Sequence, residues 1–256
     1  MKLLIVEGNP ESIWQARQAA GAVPYHRRFI QLLAHLGYDD VAVAFPADNK
    51  ALPTSTALRD FDGILLTGSA LNIYSPEAEV VNQLDFAEQC FASGVPIYGS
   101  CWGLQVAVVA AGGRVGKSVN GREFGLARAI TLTDSGKNSR FYRGKPAVFD
   151  ALCIHEDDTH ELPANAEVLA TNAHSQVQAL TLHYKQSAFF GVQYHPEFTF
   201  EDVKFIADFM HQRLCDDQVF TEAFTQADCL AEIRSHPNAT DVDFHTLEIQ
   251  RWLQAL

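Results

Sequence analysis

The sequence lacks any unbroken apolar stretch near the ~20 residues that cross a bilayer. Its first apolar run, behind Lys2, is stopped after four residues by Glu7. A secretory signal needs a longer apolar core, so a cytoplasmic protein with no membrane partner is expected. Basic residues are the minority: 19 Lys and Arg stand against 31 Asp and Glu, for a formal net charge of −12. They are also scattered. Binding a phosphate backbone needs a positive face, which argues against nucleic acid as a partner. The five cysteines (Cys90, Cys101, Cys153, Cys215 and Cys229) are odd in number and include no C-x-x-C pair. That suits reduced thiols better than a disulfide framework or a zinc site. No internal repeat, low-complexity linker, P-loop, dinucleotide fingerprint or metal-ligand cluster is present, so no cofactor or metal is expected.

What is present is an alternation of apolar runs and helical patterns, long enough at 256 residues to bury one large core. "KLLIVEG" (2–8), "VAVAFP" (41–46), "FDGILLTGS" (61–69) and "VPIYGS" (95–100) read as strands. Between them, "YHRRFIQLLAHLG" (25–37) aligns Phe29, Leu32, Leu33 and Leu36 on one helical stripe. A second helix is expected from Pro76 to about Ser93 and a third over 104–111. This order predicts an α/β fold: a mostly parallel central sheet with helices on both faces. After Gly121 the rhythm changes to strand-like pieces separated by turns, ending in "AFFGVQYHPEF" (188–198), and these are expected to form extra antiparallel strands. A helix over 199–214 with Thr199 as its cap, and another near 244–256, complete the reading. The expected division is one domain over 1–214 with a helical extension, 215–256, packed on it.

One cysteine sits where a strand pattern becomes a helix pattern. Gly99-Ser100-Cys101-Trp102-Gly103 reads G-x-C-x-G, and a nucleophile elbow needs small residues on both sides of its sharp turn. Such a turn lifts the side chain above the sheet, toward helix N–H groups able to hold a developing oxyanion. Cysteine is also among the most buried residue types, so the pentapeptide alone leaves catalysis and simple packing both open. "YHPEF" adds His195 and Glu197. In extended backbone, residues two apart project the same way. A thiol nucleophile needs an imidazole to handle its proton, and the imidazole benefits from a carboxylate that fixes its tautomer.

Together, "YGSCWGLQ" and "GVQYHPEF" resemble the class I (triad) glutamine amidotransferases, most closely stand-alone proteins similar to the amidotransferase domain of GMP synthase. The resemblance spans about Gly63 to Phe209 and includes "DGILLTGSALNIYSP", "GREFG" and "CIHEDDTHELPANAEVLATN". It implies the flavodoxin-like fold of that family. It also implies Cys101 as nucleophile, His195 as general base and acid, and Glu197 as the orienting carboxylate. The backbone N–H groups of Gly68 and Trp102 would form the oxyanion hole, and Gln105 would help hold the amino-acid end of the substrate. The chain departs from the family at Ile154-His155-Glu156-Asp157, where members usually carry Ser-His-Gly-Asp, and at Trp102, which is bulkier than the usual residue. Four other histidines, His26, His155, His174 and His183, read as structural or exposed.

The implied reaction is attack of Cys101 on a γ-glutamyl carbonyl, a thioester intermediate, and release of glutamate. With glutamine as substrate the other product is ammonia. No ATP-pyrophosphatase motif accompanies the triad, so any synthase would be a separate subunit. The alternative is a stand-alone γ-glutamyl peptidase or hydrolase acting on glutathione-like or γ-glutamyl amine substrates. A non-catalytic binding module is disfavoured because all three triad residue types are present. The related chaperone, glyoxalase and peptidase group is disfavoured because it carries histidine immediately after the nucleophile.

Overall fold

The computed structural model of the chain describes residues 1–236 and 241–256; residues 237–240 of the expected extension lie outside the described residues. Eleven strands are present among the described residues: β1 (Leu3–Val6), β2 (Val41–Ala44), β3 (Gly63–Leu66), β4 (Ile97–Ser100), β5 (Arg114–Lys117), β6 (Glu123–Leu132), β7 (Val148–His155), β8 (Asp157–Glu161), β9 (Glu167–Thr171), β10 (Ala179–Tyr184) and β11 (Ser187–Val192). The helices are α1 (Glu11–Ala19), α2 (Tyr25–His35), α3 (Ala78–Ser93), α4 (Trp102–Ala110), α5 (Asp134–Asn138), α6 (Phe200–Phe209), α7 (His211–Asp216), α8 (Gln226–Ser235), α9 (Val242–His245) and α10 (Leu247–Leu253). None of the described helices is long and apolar enough to cross a membrane.

Nine strands form one sheet in the order β2-β1-β3-β4-β11-β10-β9-β6-β7, and β5 pairs with β8 in a separate ribbon. The pairings from β2 through β11 are parallel and those from β11 to β7 antiparallel, so only β10 and β6 run against the other seven strands. The sheet is therefore mostly parallel in direction, with hairpins completing one side.

Strand alternation sorts the core into two layers. Leu4, Val6, Ile64, Leu66 and Ile97 face the layer that holds Phe86 and Phe91 of α3 and Leu104 of α4. Leu3, Ile5, Leu65 and Tyr98 face the opposite layer, with Phe29 and Leu33 of α2 and Ile249, Trp252 and Leu253 of α10. Each large apolar side chain so buried stabilises the fold by roughly 1.5–3 kcal/mol. A third cluster packs α6 and α8 against Phe124, Leu126 and Leu152.

Thr199 caps α6 as the sequence predicts, in a reciprocal pair with Asp202. The single helix expected over 199–214 is interrupted at Met210, where φ −105° and ψ 15° separate α6 from α7. Helices α1 and α5 and the β5–β8 ribbon were not anticipated, and α8 falls within the expected helical extension at a place the pattern did not mark. α1 buries no residue at all, and α8 buries only Cys229 and Ile233, so neither carries an apolar stripe.

Candidate active site

Three adjacent parallel strands end at the same edge of the sheet, and each delivers one part of the site. β3 pairs with β4 in the register Leu66↔Gly99, and β4 pairs with β11 in the register Val192↔Ser100. The residues that follow these strands, Gly68, Cys101 and His195, are thereby brought together. Crevices beyond the carboxyl ends of parallel strands are where open α/β sheets bind ligands.

Cys101 adopts φ 51° and ψ −105°, a conformation that L-residues rarely hold. The turn is fixed from both sides. The Cys101 N–H donates to the Val192 carbonyl at 2.8 Å, and its own carbonyl accepts from the Gln105 N–H at 3.1 Å. A Cβ on Gly103 would lie 2.4 Å from the Leu66 carbonyl oxygen, and one on Gly99 would lie 2.7 Å from the Gly103 carbonyl carbon. Both flanking glycines are therefore steric requirements of the elbow.

His195 and Glu197 are both sealed from solvent, and His195 Nδ1 lies 2.7 Å from Glu197 Oε1. The backbone between them is a turn rather than a strand. β11 ends at Val192, and the Phe198 N–H donates to the His195 carbonyl at 3.2 Å. Pro196 occupies the second position of that turn, where its fixed φ fits. The pair expected to align by strand alternation is thus aligned by a turn. Glu197 Oε1 also accepts from Ser100 Oγ at 3.0 Å. Phe198 stacks on the imidazole at 3.9 Å with an interplanar angle of 5°, fixing its plane.

Burial opposes charge on His195, but Glu197 and then Cys101 outweigh it and hold its pKa well above the ordinary imidazole value. His195 Nε2 has no hydrogen bond of standard geometry. It faces a 290 Å³ cleft that Cys101, Gln105 and Ile154 also line. Cys101 Sγ lies 3.5 Å from the Ile154 carbonyl oxygen. A buried thiol beside a carboxylate-braced imidazole can attack an acyl carbon and pass a proton to a leaving group.

Among the described residues, no protein acceptor engages the backbone N–H of Gly68 or Trp102. The loop carrying Gly68 is pinned by Asn9 Oδ1, which accepts from the Ala70 N–H at 2.9 Å. The bulk of Trp102 is turned away from the cleft: its indole N–H donates to Gln83 Oε1 at 2.9 Å on α3. Gln105 lines the cleft, its amide 3.4 Å from both the Asp157 carbonyl and Gln193 Oε1.

Sequence reasoning missed several neighbours. Register partners Glu123 and His155 form a buried pair, with His155 Nε2 2.8 Å from Glu123 Oε2. Asn172 and Gln178 each donate to Glu123 at 2.7 Å. His26 is likewise buried on Glu7, whereas His183 is exposed. Glu156, which replaces the family's glycine, binds Arg122 and Lys117 at 2.5 Å each, and Arg122 also reaches Asp217, the residue after α7, at 2.7 Å. This ionic cluster, which Arg213 of α7 joins, ties the cleft rim to α7 and the residue that follows it. Burial pushes the thiols of Cys153 and Cys229 up, that of Cys229 to about 11, which keeps them protonated and inert.

The strained Cys101 turn, the buried His195–Glu197 pair and the cleft they border lie at one edge of an α/β sheet covered on both faces. Residues 24–212 match the family model of glutamine amidotransferase class-I, and the chain belongs to that family. It is 37% identical over 202 residues to a γ-glutamyl-L-1-hydroxyisopropylamide hydrolase of a Pseudomonas species, covering 77% of this chain and 68% of that protein. It is 30% identical over 204 residues to the glutamine-hydrolysing GMP synthase of Aeromonas hydrophila subsp. hydrophila, covering 74% of this chain but 36% of that protein. A glutamine amidotransferase of Thermotoga maritima superposes on the full length of this chain and 97% of its own, with TM-score 0.71 at 16% identity.

Proposed function

We propose that the protein hydrolyses a γ-glutamyl amide through a Cys101–His195–Glu197 triad, releasing glutamate and an amine. The observation that carries this reading is the strained Cys101 elbow in the same cleft as His195, whose far nitrogen is held by buried Glu197. In the reaction Cys101 Sγ attacks the γ-carbonyl while the N–H groups of Gly68 and Trp102 stabilise the oxyanion. His195 protonates the departing nitrogen, and water then opens the thioester. Gln105 helps hold the amino-acid end of the glutamyl group. The Pseudomonas relative's named activity supports hydrolysis without a synthase domain. The chain spans about a third of the GMP synthases it resembles, which supports a second reading in which a separate synthase subunit takes up ammonia from glutamine.

Residues 1–214 are read as the amidotransferase-like domain, with 215–256 packed on it. Support comes from the seating of α8 against α6 and of α10 in the sheet core. The five free cysteines fit a cytoplasmic location.

The test is glutamate release by the purified protein from glutamine and from a panel of γ-glutamyl amides, with Cys101→Ala as control. Release by wild type and loss in the variant are expected. A folded wild type that hydrolyses none of them would overturn the proposal.

A further inference from the structure

Among the described residues Arg17 has no acidic partner, in a cleft where the other arginines are neutralised. It lies on α1, before the residues 24–212 that match the family, yet it lines the same cleft as Cys101 and His195. Arg122 and Arg213, which also line it, are both engaged by Glu156 and Asp217. Among the described residues the only side-chain partner of Arg17 is Tyr25: Arg17 Nη1 donates to Tyr25 Oη at 3.1 Å, and the guanidinium carbon stands 5.0 Å from the ring centre. Stacking on a tyrosine holds the guanidinium plane while leaving most of its donors open.

The position of Tyr25 shows which part of a substrate Arg17 meets. The Tyr25 ring lies 6.2 Å from that of His195 and 5.6 Å from that of Phe198, and it borders the cleft itself. A leaving nitrogen takes its proton from His195, so whatever that nitrogen carries extends over the His195 flank, toward Tyr25 and Arg17. Gln105 and Asp157, which line the cleft with Cys101 and bond to each other rather than to Tyr25 or Arg17, remain for the glutamyl end. A guanidinium presents a planar fork that matches a carboxylate.

We propose that Arg17 binds a carboxylate on the leaving amine, so that the substrates are γ-glutamyl amino acids or γ-glutamyl peptides rather than amides of uncharged amines. This rests on the hydrolytic reading above. The step balances: the thiolate displaces the amino acid, whose nitrogen gains the His195 proton. Water then adds to the thioester, its oxygen entering the glutamyl carboxyl and its proton restoring the thiol.

The test compares γ-glutamylglycine with γ-glutamylethylamide, which ends in a methyl where the glycine compound has its carboxylate. Binding to the Cys101→Ala protein by calorimetry, and kcat/KM of the protein with Cys101 intact, should both favour the glycine compound by roughly 10- to 100-fold. Arg17→Gln should bring that ratio close to one, and Arg17→Lys should retain part of it. Equal affinity for the two compounds, or an Arg17→Gln change that weakens both alike, would overturn the subsite. A folded protein that binds the glycine compound through Arg17 but cleaves neither would keep the subsite and overturn the hydrolytic reading instead.

Discussion

Glu197 braces His195 across a proline turn, with the carboxylate oxygen 2.7 Å from Nδ1 and a second donor, Ser100 Oγ, 3.0 Å from the same oxygen. Both side chains are buried, so the carboxylate's charge acts on the imidazole with little screening from water. Glu197→Gln keeps the shape and removes the charge. In a Ser-His-Asp site the corresponding change lowers kcat by about 10⁴-fold, and a loss of about 10³-fold or more is expected here. Because Glu197 raises the His195 pKa against burial, the alkaline limb of the kcat/KM profile should also move to lower pH in the variant. Steady-state rates across pH check both, and an unmoved alkaline limb would show that Glu197 does not set the imidazole's charge.

His245 predicts a separate, purely structural pH effect. It is buried among α9 and α10, and burial, then the nearby Lys145 ammonium, lowers its pKa to about 4. In the unfolded chain the imidazole takes its proton near pH ~6.5. Above that value it is neutral in both states and contributes nothing. As pH falls below it the unfolded chain alone binds the proton, so stability declines until about pH 4. Between pH 7 and pH 5 the linkage amounts to roughly 2 kcal/mol. Urea unfolding should show wild type losing about that much more than His245→Asn over this interval. Parallel pH dependences in the two proteins would contradict the assignment.

The parts of this structure that could be read from the sequence are those set by neighbours along the chain. Gly99 and Gly103 around Cys101, with apolar runs on either side, announced the elbow because both glycines lie within two residues of it, although the crowding at Gly103 comes from Leu66 on the neighbouring strand. His195 and Glu197 were recognisable as a pair, although the alignment came from the turn at Pro196 rather than from strand alternation. α1 could not be read because it buries nothing, and Arg17 stayed hidden with it. For α8 a signal did exist, the reciprocal cap of Thr225 and Asp228. Glu123 and His155 meet only through the register of β6 on β7, and Ser100 finds Glu197 only through that of β4 on β11. Those pairings join residues dozens of positions apart, which no local pattern specifies.

The last prediction concerns how the C-terminal helix supports the strand end that bears His195. On α10, Glu248 forms a fully buried ion pair with Lys145 and also accepts from the hydroxyl of Tyr194, the residue preceding His195. Tyr194 is bonded in turn to Tyr142 at 2.9 Å, and the Lys145 ammonium sits 4.4 Å from the centre of the Phe149 ring. Burial lowers the Lys145 pKa, and Glu248 opposes that shift. Removing one member of such a pair strands its partner in a dry interior, at a cost of about 3–5 kcal/mol. Lys145→Met and Glu248→Gln should each destabilise the protein by about that amount. The double variant should be clearly more stable than the sum of the two changes implies, with a coupling of at least about 1 kcal/mol in a urea-unfolding cycle. Additive losses would mean that the two side chains stabilise the fold independently, and that α10 is held on the sheet by Ile249, Trp252 and Leu253 without electrostatic help.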